Sequence, residues 1–247
     1  MVRRTKAEAQ ATRNGLLDAA ELLFQSQGVS RTSLNQIASA AGTTRGAIYW
    51  HFQDKADLFN AMMERVTLPM EDTLGCLSRN ADQLDDPLHH LRTAVADALH
   101  KTAYDERTRR VFEVATHKVE YVDEMRAVRE RHLQVRNACV AMTEQTLKEA
   151  AQRQSLTIAM PLQSAALGLH VTIDGLIQNW LLDPQAFDLV QQGCLSVDTH
   201  LRGLGFTLSD VLAPRPAAGL PLKAGPGAKP LAPSGLPTPA RSRKQTA

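Results

Sequence analysis

A chain of 247 residues, 43% hydrophobic and 22% charged, is long enough to bury one large core or two smaller ones, and no apolar run in it approaches the ~18 residues that cross a bilayer. Three cysteines, odd in number, far apart and without CxxC spacing, exclude a disulfide framework and the usual zinc site, and point to a reducing cytoplasm. The net charge of +2 is unevenly placed: residues 1–55 hold seven Lys/Arg against four Asp/Glu, residues 56–206 fifteen against twenty-one, and residues 207–247 six against one; basic ends suit a polyanion partner, and the acidic middle suits another task.

Helical periodicity dominates, with no alternating strand pattern. The basic opening "MVRRTKAEAQATR" precedes no apolar segment of the secretory kind. Thr5 and Glu8 have capping-box spacing, and Leu16, Leu17, Ala20, Leu23 and Phe24 form a stripe that ends at Gly28. Ser33 and Gln36 are a second capping box, opening a short helix closed by Gly42; Thr44 caps a third, Arg45 to Phe52. Two short helices joined by "AAGT" and backed by a longer one describe a helix-turn-helix unit over residues 1–54. Asp54 or Asp57 starts a fourth helix, which Pro69 must kink or end.

Residues 55–206 continue as helices. Asp86-Pro87 opens one, Asp105 precedes a short one, and Asp123 starts a long one with Val128, His132, Val135, Cys139, Met142 and Thr146 on one face. Pro161 starts the next, and Asp183-Pro184 stops it before a last helix. These two final helices carry heptad-like stripes, with a small-residue track at Ala165, Gly168, Thr172 and Gly175 and an apolar face at Val190, Cys194, Val197 and Leu201. Such a pair closes a four-helix bundle across a two-fold axis in a homodimer; the alternative is that both stripes face the chain's own core. Residues 207–247 hold eight of the twelve prolines and end in a basic "RSRK" cluster, a composition that predicts disorder.

The segment "TTRGAIYWHFQDK" carries the chemistry. In a recognition helix the N-terminal residues meet base edges. Arg45 is placed to bridge the O6 and N7 of a guanine. Gly46 costs a helix about 1 kcal/mol relative to Ala, which makes sense where backbone must approach DNA, and Ala47 is small for the same reason. Tyr49, Trp50 and His51 offer donors to phosphates, as do Ser33 and Thr44 at their helix starts. Lys55 adds charge, and Arg3 and Arg4 form a basic arm.

"TSLNQIASAAGTTRGAIYWHFQDKADLF" resembles the DNA-binding signature of the tetracycline-repressor (TetR) family of one-component bacterial regulators, over roughly residues 10 to 60. "VRRTKAEAQATR", "RGAIYWHF", "DERTRR" with "HK.E" at 105 to 120, and "DGLIQNW" at 174 to 180 look more narrowly like multidrug-efflux repressors of the AcrR type. The resemblance implies an all-α dimer with an N-terminal reading head on double-stranded operator DNA and a C-terminal ligand chamber. It also implies repression relieved by a small-molecule inducer, with no cofactor. Thr43 departs from it, standing where the family usually has an apolar residue. By position in the resemblance and by helix face, the ligand residues expected are Phe112, Thr116, Cys139, His170, Ile173, Asp174 and Ile177. Relief requires a ligand that favours a state whose heads are wrongly spaced for half-sites ~34–36 Å apart, and Pro69 is where that shift is expected to concentrate.

An enzyme is the first rival. The pair His89-His90 near Asp85 and Asp86, and the acids Asp123 and Glu124, lack ligand spacing, and no nucleophile motif or phosphate loop is present. An ungated architectural DNA binder leaves the long middle of the chain without a purpose. A repressor of a metabolic or lipid operon stays within the same family.

Overall fold

The computed structural model describes residues 5–209. Arg3, Arg4 and the Pro-rich tail from residue 210 lie outside the described residues. Within them there are nine α-helices, one 3-10 turn and no strand, and no helix is long and apolar enough to cross a membrane.

Helices begin where a side chain offers the orphan amides of the first turn an acceptor. Thr5 and Ser33 make the two expected capping boxes, with Glu8 and Gln36, for α1 (Lys6–Gln27) and α2 (Leu34–Ala40). Thr44 caps α3 (Arg45–His51), and Asp54 rather than Asp57 caps α4 (Lys55–Arg79). Asp86, with Pro87 as first residue, opens α5 (Pro87–Tyr104), and Asp105 opens α6 (Glu106–His117). A 3-10 turn at Asp123–Met125 then leads into α7 (Arg126–Arg153). Pro161 precedes α8 (Leu162–Leu182), and Asp188 caps α9 (Leu189–Gly203). Gly28, at φ 85°, ends α1 in a conformation that disfavours any other residue.

Pro69 does not end α4, which runs through it unbroken. The proline is on the exposed side, where water can take the carbonyl that loses its partner.

The head's core does not stop at the head. Leu16, Leu17 and Phe24 of α1, Ile37 of α2 and Ile48 of α3 pack with Phe59 and Met62 of α4, Val111 and Val114 of α6, and Met125 and Val128 beyond. Polar contacts reinforce the same junction. Arg65 donates to Asp18 (2.8 Å) and to the buried Glu21 (3.2 Å), and Arg107 donates to Asp18 (2.9 Å). Burial pushes the Glu21 carboxyl above its ordinary value, against the pull of Arg107 and Arg65.

A second core joins α5, α7, α8 and α9 through Leu88, Leu91, Leu147, Ala165, Leu169, Val197 and Leu201. Inside it Arg92, 1% exposed, holds Asp198 bidentately, through Nε at 2.7 Å and Nη2 at 2.9 Å, and donates to the Ser209 carbonyl at 3.0 Å. Packing of α5 on α9 is closest at Gly193, where a Cβ would stand 2.2 Å from Leu99 Cδ1. Gly193→Ala is therefore expected to lose about 1–3 kcal/mol by overpacking, measured as a lower midpoint in urea; an unchanged midpoint would show that Leu99 swings away freely.

This core corrects the dimer face read from the sequence. Ala165, Val190, Val197 and Leu201 are buried within the single chain, and Cys194 packs against the cluster around Leu99 and Trp180. Gly168 backs onto the chain's own His200 ring, and the Thr172 hydroxyl donates to the Gly168 carbonyl. Gly175 has open space beside it, and Thr172 is partly exposed. The apolar groups left on the surface of α8 and α9 are Leu167, Val171, Leu182 and Leu195. Helix α8 is apolar on both sides, so heptad spacing identified a packing stripe without identifying its partner.

Candidate nucleic-acid interface and ligand chamber

Of the residues expected to read DNA, Thr44 to Ala47 and Tyr49 to His51 belong to α3 and its cap, and Ser33 caps α2. Ile48 and Phe52 turn inward into the head core, which leaves Arg45, Gly46, Tyr49 and Trp50 exposed and Ala47 and His51 partly so. Trp50 is 73% exposed, and its ring meets His51 edge-on at 4.5 Å. The Arg45 guanidinium lies 5.7 Å from the Tyr49 ring centroid, a cation–π contact that steadies the side chain at the helix start. The Thr44 hydroxyl accepts from the Ala47 amide and keeps its hydrogen to donate.

Two expected contacts change. The Ser33 hydroxyl already donates to Gln36 Oε1 and accepts from the Gln36 amide, so its polar capacity is largely internal. Lys55 is 8% exposed. Its ammonium donates to the carbonyls of Val29 (3.2 Å) and Ser30 (3.5 Å) and pairs with Glu124 at 3.3 Å. It is a tie inside the molecule rather than a cation offered to DNA. Arg31 and Asn35, which sequence reasoning passed over, share a cleft with Ser33, Tyr49 and Lys55; their position beside the second capping box was the available signal.

The chamber is a cavity of about 430 Å³ between α4, α6, α7 and α8. Phe112, Thr116, His170, Asp174 and Ile177, named from the sequence as ligand residues, line it. Ile173 turns away into the packing around Leu99 and Trp180, and Cys139 is not among the lining residues. Burial pushes the Cys139 thiol up to about 11, with Glu71 adding to the shift. Iodoacetamide at pH 7.5 is therefore expected to label Cys139 far more slowly than the exposed Cys76, with reactivity rising only as pH climbs toward 11. Equal labelling in a tryptic digest would contradict that burial.

The polar lining residues that the sequence reading did not name include Tyr121, Arg131, His132 and Arg136. Arg131 is neutralised by Glu71 (3.2 Å) and Glu64 (3.6 Å). Arg136 bonds to the side-chain oxygen of Asn137 and has no carboxylate within 4.0 Å among the described residues. Asp174 accepts from Gln178. Burial lowers the His170 pKa, helped by His132 and Arg136 and opposed by Asp174; burial and then Asp174 raise that of Tyr121. Helices α7 and α8 and the connection before α7 thus offer an imidazole, a phenol, a guanidinium and a carboxylate around a largely apolar space, the usual economy of a small-molecule site.

Comparison with known proteins agrees with both halves. Residues 16–62 match the model for bacterial regulatory proteins of the tetR family, and residues 86–206 match the C-terminal region of MAATS-type transcriptional repressors. The chain is 43% identical over 197 residues to the HTH-type transcriptional regulator AcrR of Shigella flexneri, covering 78% of this chain and 88% of that protein. NalD, the secondary repressor of the MexAB-OprM multidrug efflux pump in Pseudomonas aeruginosa, superposes with a TM-score of 0.71 at 37% identity, covering 80% of this chain and 97% of that one. SmeT in complex with triclosan gives 0.73 at 34% identity, covering 84% and 100%; SmeT represses the SmeDEF multidrug efflux pump of Stenotrophomonas maltophilia. With a helix-turn-helix head, an all-helical body and relatives that are transcriptional regulators rather than enzymes, this chain is a member of the TetR family.

Proposed function

We propose that the chain represses a multidrug efflux operon from double-stranded operator DNA, as a cytoplasmic homodimer, and leaves that DNA when a small amphipathic molecule fills the chamber. The observation that carries this reading is the position of Phe59. Its ring is 1% exposed in the core that supports α1 and also lines the chamber, so a ligand that moves it moves the support of the reading head. Likeness to NalD and SmeT, both repressors of multidrug pumps, supports the choice of operon. The exposed Leu167, Val171, Leu182 and Leu195 supply the dimer face. Arg45, Gly46, Ala47, Thr44, Tyr49, Trp50 and His51 read the operator, with Arg31 and Asn35 beside them.

Fluorescence anisotropy on the chain's own upstream intergenic DNA, against scrambled DNA, tests it. Specific binding is expected to weaken with salt, with a log–log slope of about −0.9 per phosphate neutralised. It is expected to be released by at least one of triclosan, a flavonoid or a cationic dye. Specific binding released only by acyl metabolites would move the chain to a lipid operon, and no specific binding would remove the assignment.

A further inference from the structure

The chamber and the head meet along α4 and α6, both of which line the cavity and enter the head core, and at a third, less obvious place. This is the connection between α6 and α7, residues 118–125, whose groups alternate between the two sides. The Lys118 carbonyl accepts the Val29 amide at 3.0 Å, which pins the turn between α1 and α2. Val119 packs on the head core. Tyr121 lines the chamber. Glu124 then pairs with Lys55, the first residue of α4, at 3.3 Å, while Lys55 grips the carbonyls of Val29 and Ser30. Met125, 1% exposed, is buried in the head core. Immediately after it, the Ala127 carbonyl accepts from Asn60 of α4 at 3.4 Å, and Val128 and Arg131 return to the chamber wall.

We infer that this segment is a strut that transmits chamber occupancy to the reading head, with Glu124 and Lys55 as its positioning residues and Tyr121 as its sensor. This rests on the ligand-gated reading above. The turn at residues 28–32 sets where Ser33 starts α2, and three hydrogen bonds or ion pairs from the strut and from Lys55 fix that turn. A ligand seated against Tyr121 displaces a segment too short to bend between Val119 and Met125 without disturbing one of its anchors. Val29 and Ser30 then lose their fixed partners, and α2 loses its register against α3. Coupling of this kind needs a physical element that both sites bias, and here the same eight residues touch both.

The first test is hydrogen exchange of the whole chain. The inducer is whichever of triclosan, a flavonoid or a cationic dye releases the wild-type protein from its operator. The Val29 amide is expected to exchange faster when the inducer is bound; release of DNA with unchanged protection at Val29 would overturn the strut. The second test is Glu124→Ala, against Glu120→Ala, which removes the same charge from an exposed neighbour on the same connection. Ligand affinity by calorimetry is expected to hold in both variants, which also shows that both fold. In the wild type and in Glu120→Ala the inducer should weaken DNA binding by on the order of 5- to 150-fold, the usual range of allosteric coupling, and in Glu124→Ala by about two-fold or less. Equal release in all three proteins would overturn the strut and leave the repressor reading intact. A wild type that no compound releases would overturn both.

Discussion

Arg45→Ala is expected to abolish discrimination between operator and scrambled DNA while leaving the protein folded. The side chain is exposed at the first position of α3 and takes part in no packing beyond the Tyr49 ring, so thermal unfolding should be unaffected. A bidentate contact to guanine is worth about 1–3 kcal/mol of discrimination. In the proposed two-fold dimer the contact is made once per half-site, so the specific complex should weaken by roughly 30-fold to 10⁴-fold. Non-specific binding should fall far less, because only about one phosphate-scale charge per head is lost from the electrostatic term. Titration of operator and scrambled duplexes at one salt concentration separates the two. Retained discrimination would mean that specificity lies elsewhere, with Arg31 and Asn35 the next positions to vary.

The largest stability effect is expected at Arg92. Arg92→Ala strips Asp198, at 5% exposure, of its bidentate partner and leaves this buried carboxylate only the looser pairing with Arg202 at 4.0 Å. Breaking a buried pair in this way costs about 3–5 kcal/mol, a large share of the 5–15 kcal/mol typical of a domain. For a chain of this size that corresponds to a fall of roughly 6–20 °C in the unfolding midpoint. The companion change, Arg92→Met with Asp198→Leu, removes both charges and keeps the volume, so it should recover most of the loss. Calorimetry of the two variants settles the matter: a single variant melting within a degree of wild type would show that water reaches the carboxylate. Because Arg92 also holds the Ser209 carbonyl, the single variant should loosen the segment that follows α9 before the head.

What could be read in advance was local. Capping boxes at Thr5 and Ser33, the caps at Thr44 and Asp86, and the inward turn of Ile48 and Phe52 all depend on residues within one helical turn, and the structure has them. Contacts between distant segments were not legible. Nothing in the sequence couples Arg92 to Asp198, 106 positions away, or turns Lys55 toward Glu124. The chamber fell between these cases. His170 and Asp174 were found because they share one face of α8, whereas Ile173, one turn before Ile177, packs toward Leu99 and Trp180 and does not line the chamber. Tyr121 lies in the connection between helices, where periodicity carries no information.

The shared core has a consequence for recombining such proteins. Phe24 meets Phe59 of α4, ring centroids 6.1 Å apart, in a core that also takes in Val111 and Val114 of α6 and Val128 of α7, so a graft cut at the end of α3 would present a raw apolar face to an unmatched body. A working chimera has to carry the first three turns of α4 together with Val111, Val114 and residues 118–128 as one block. The unit of inheritance here is a surface of contact, and it does not follow the order of the chain.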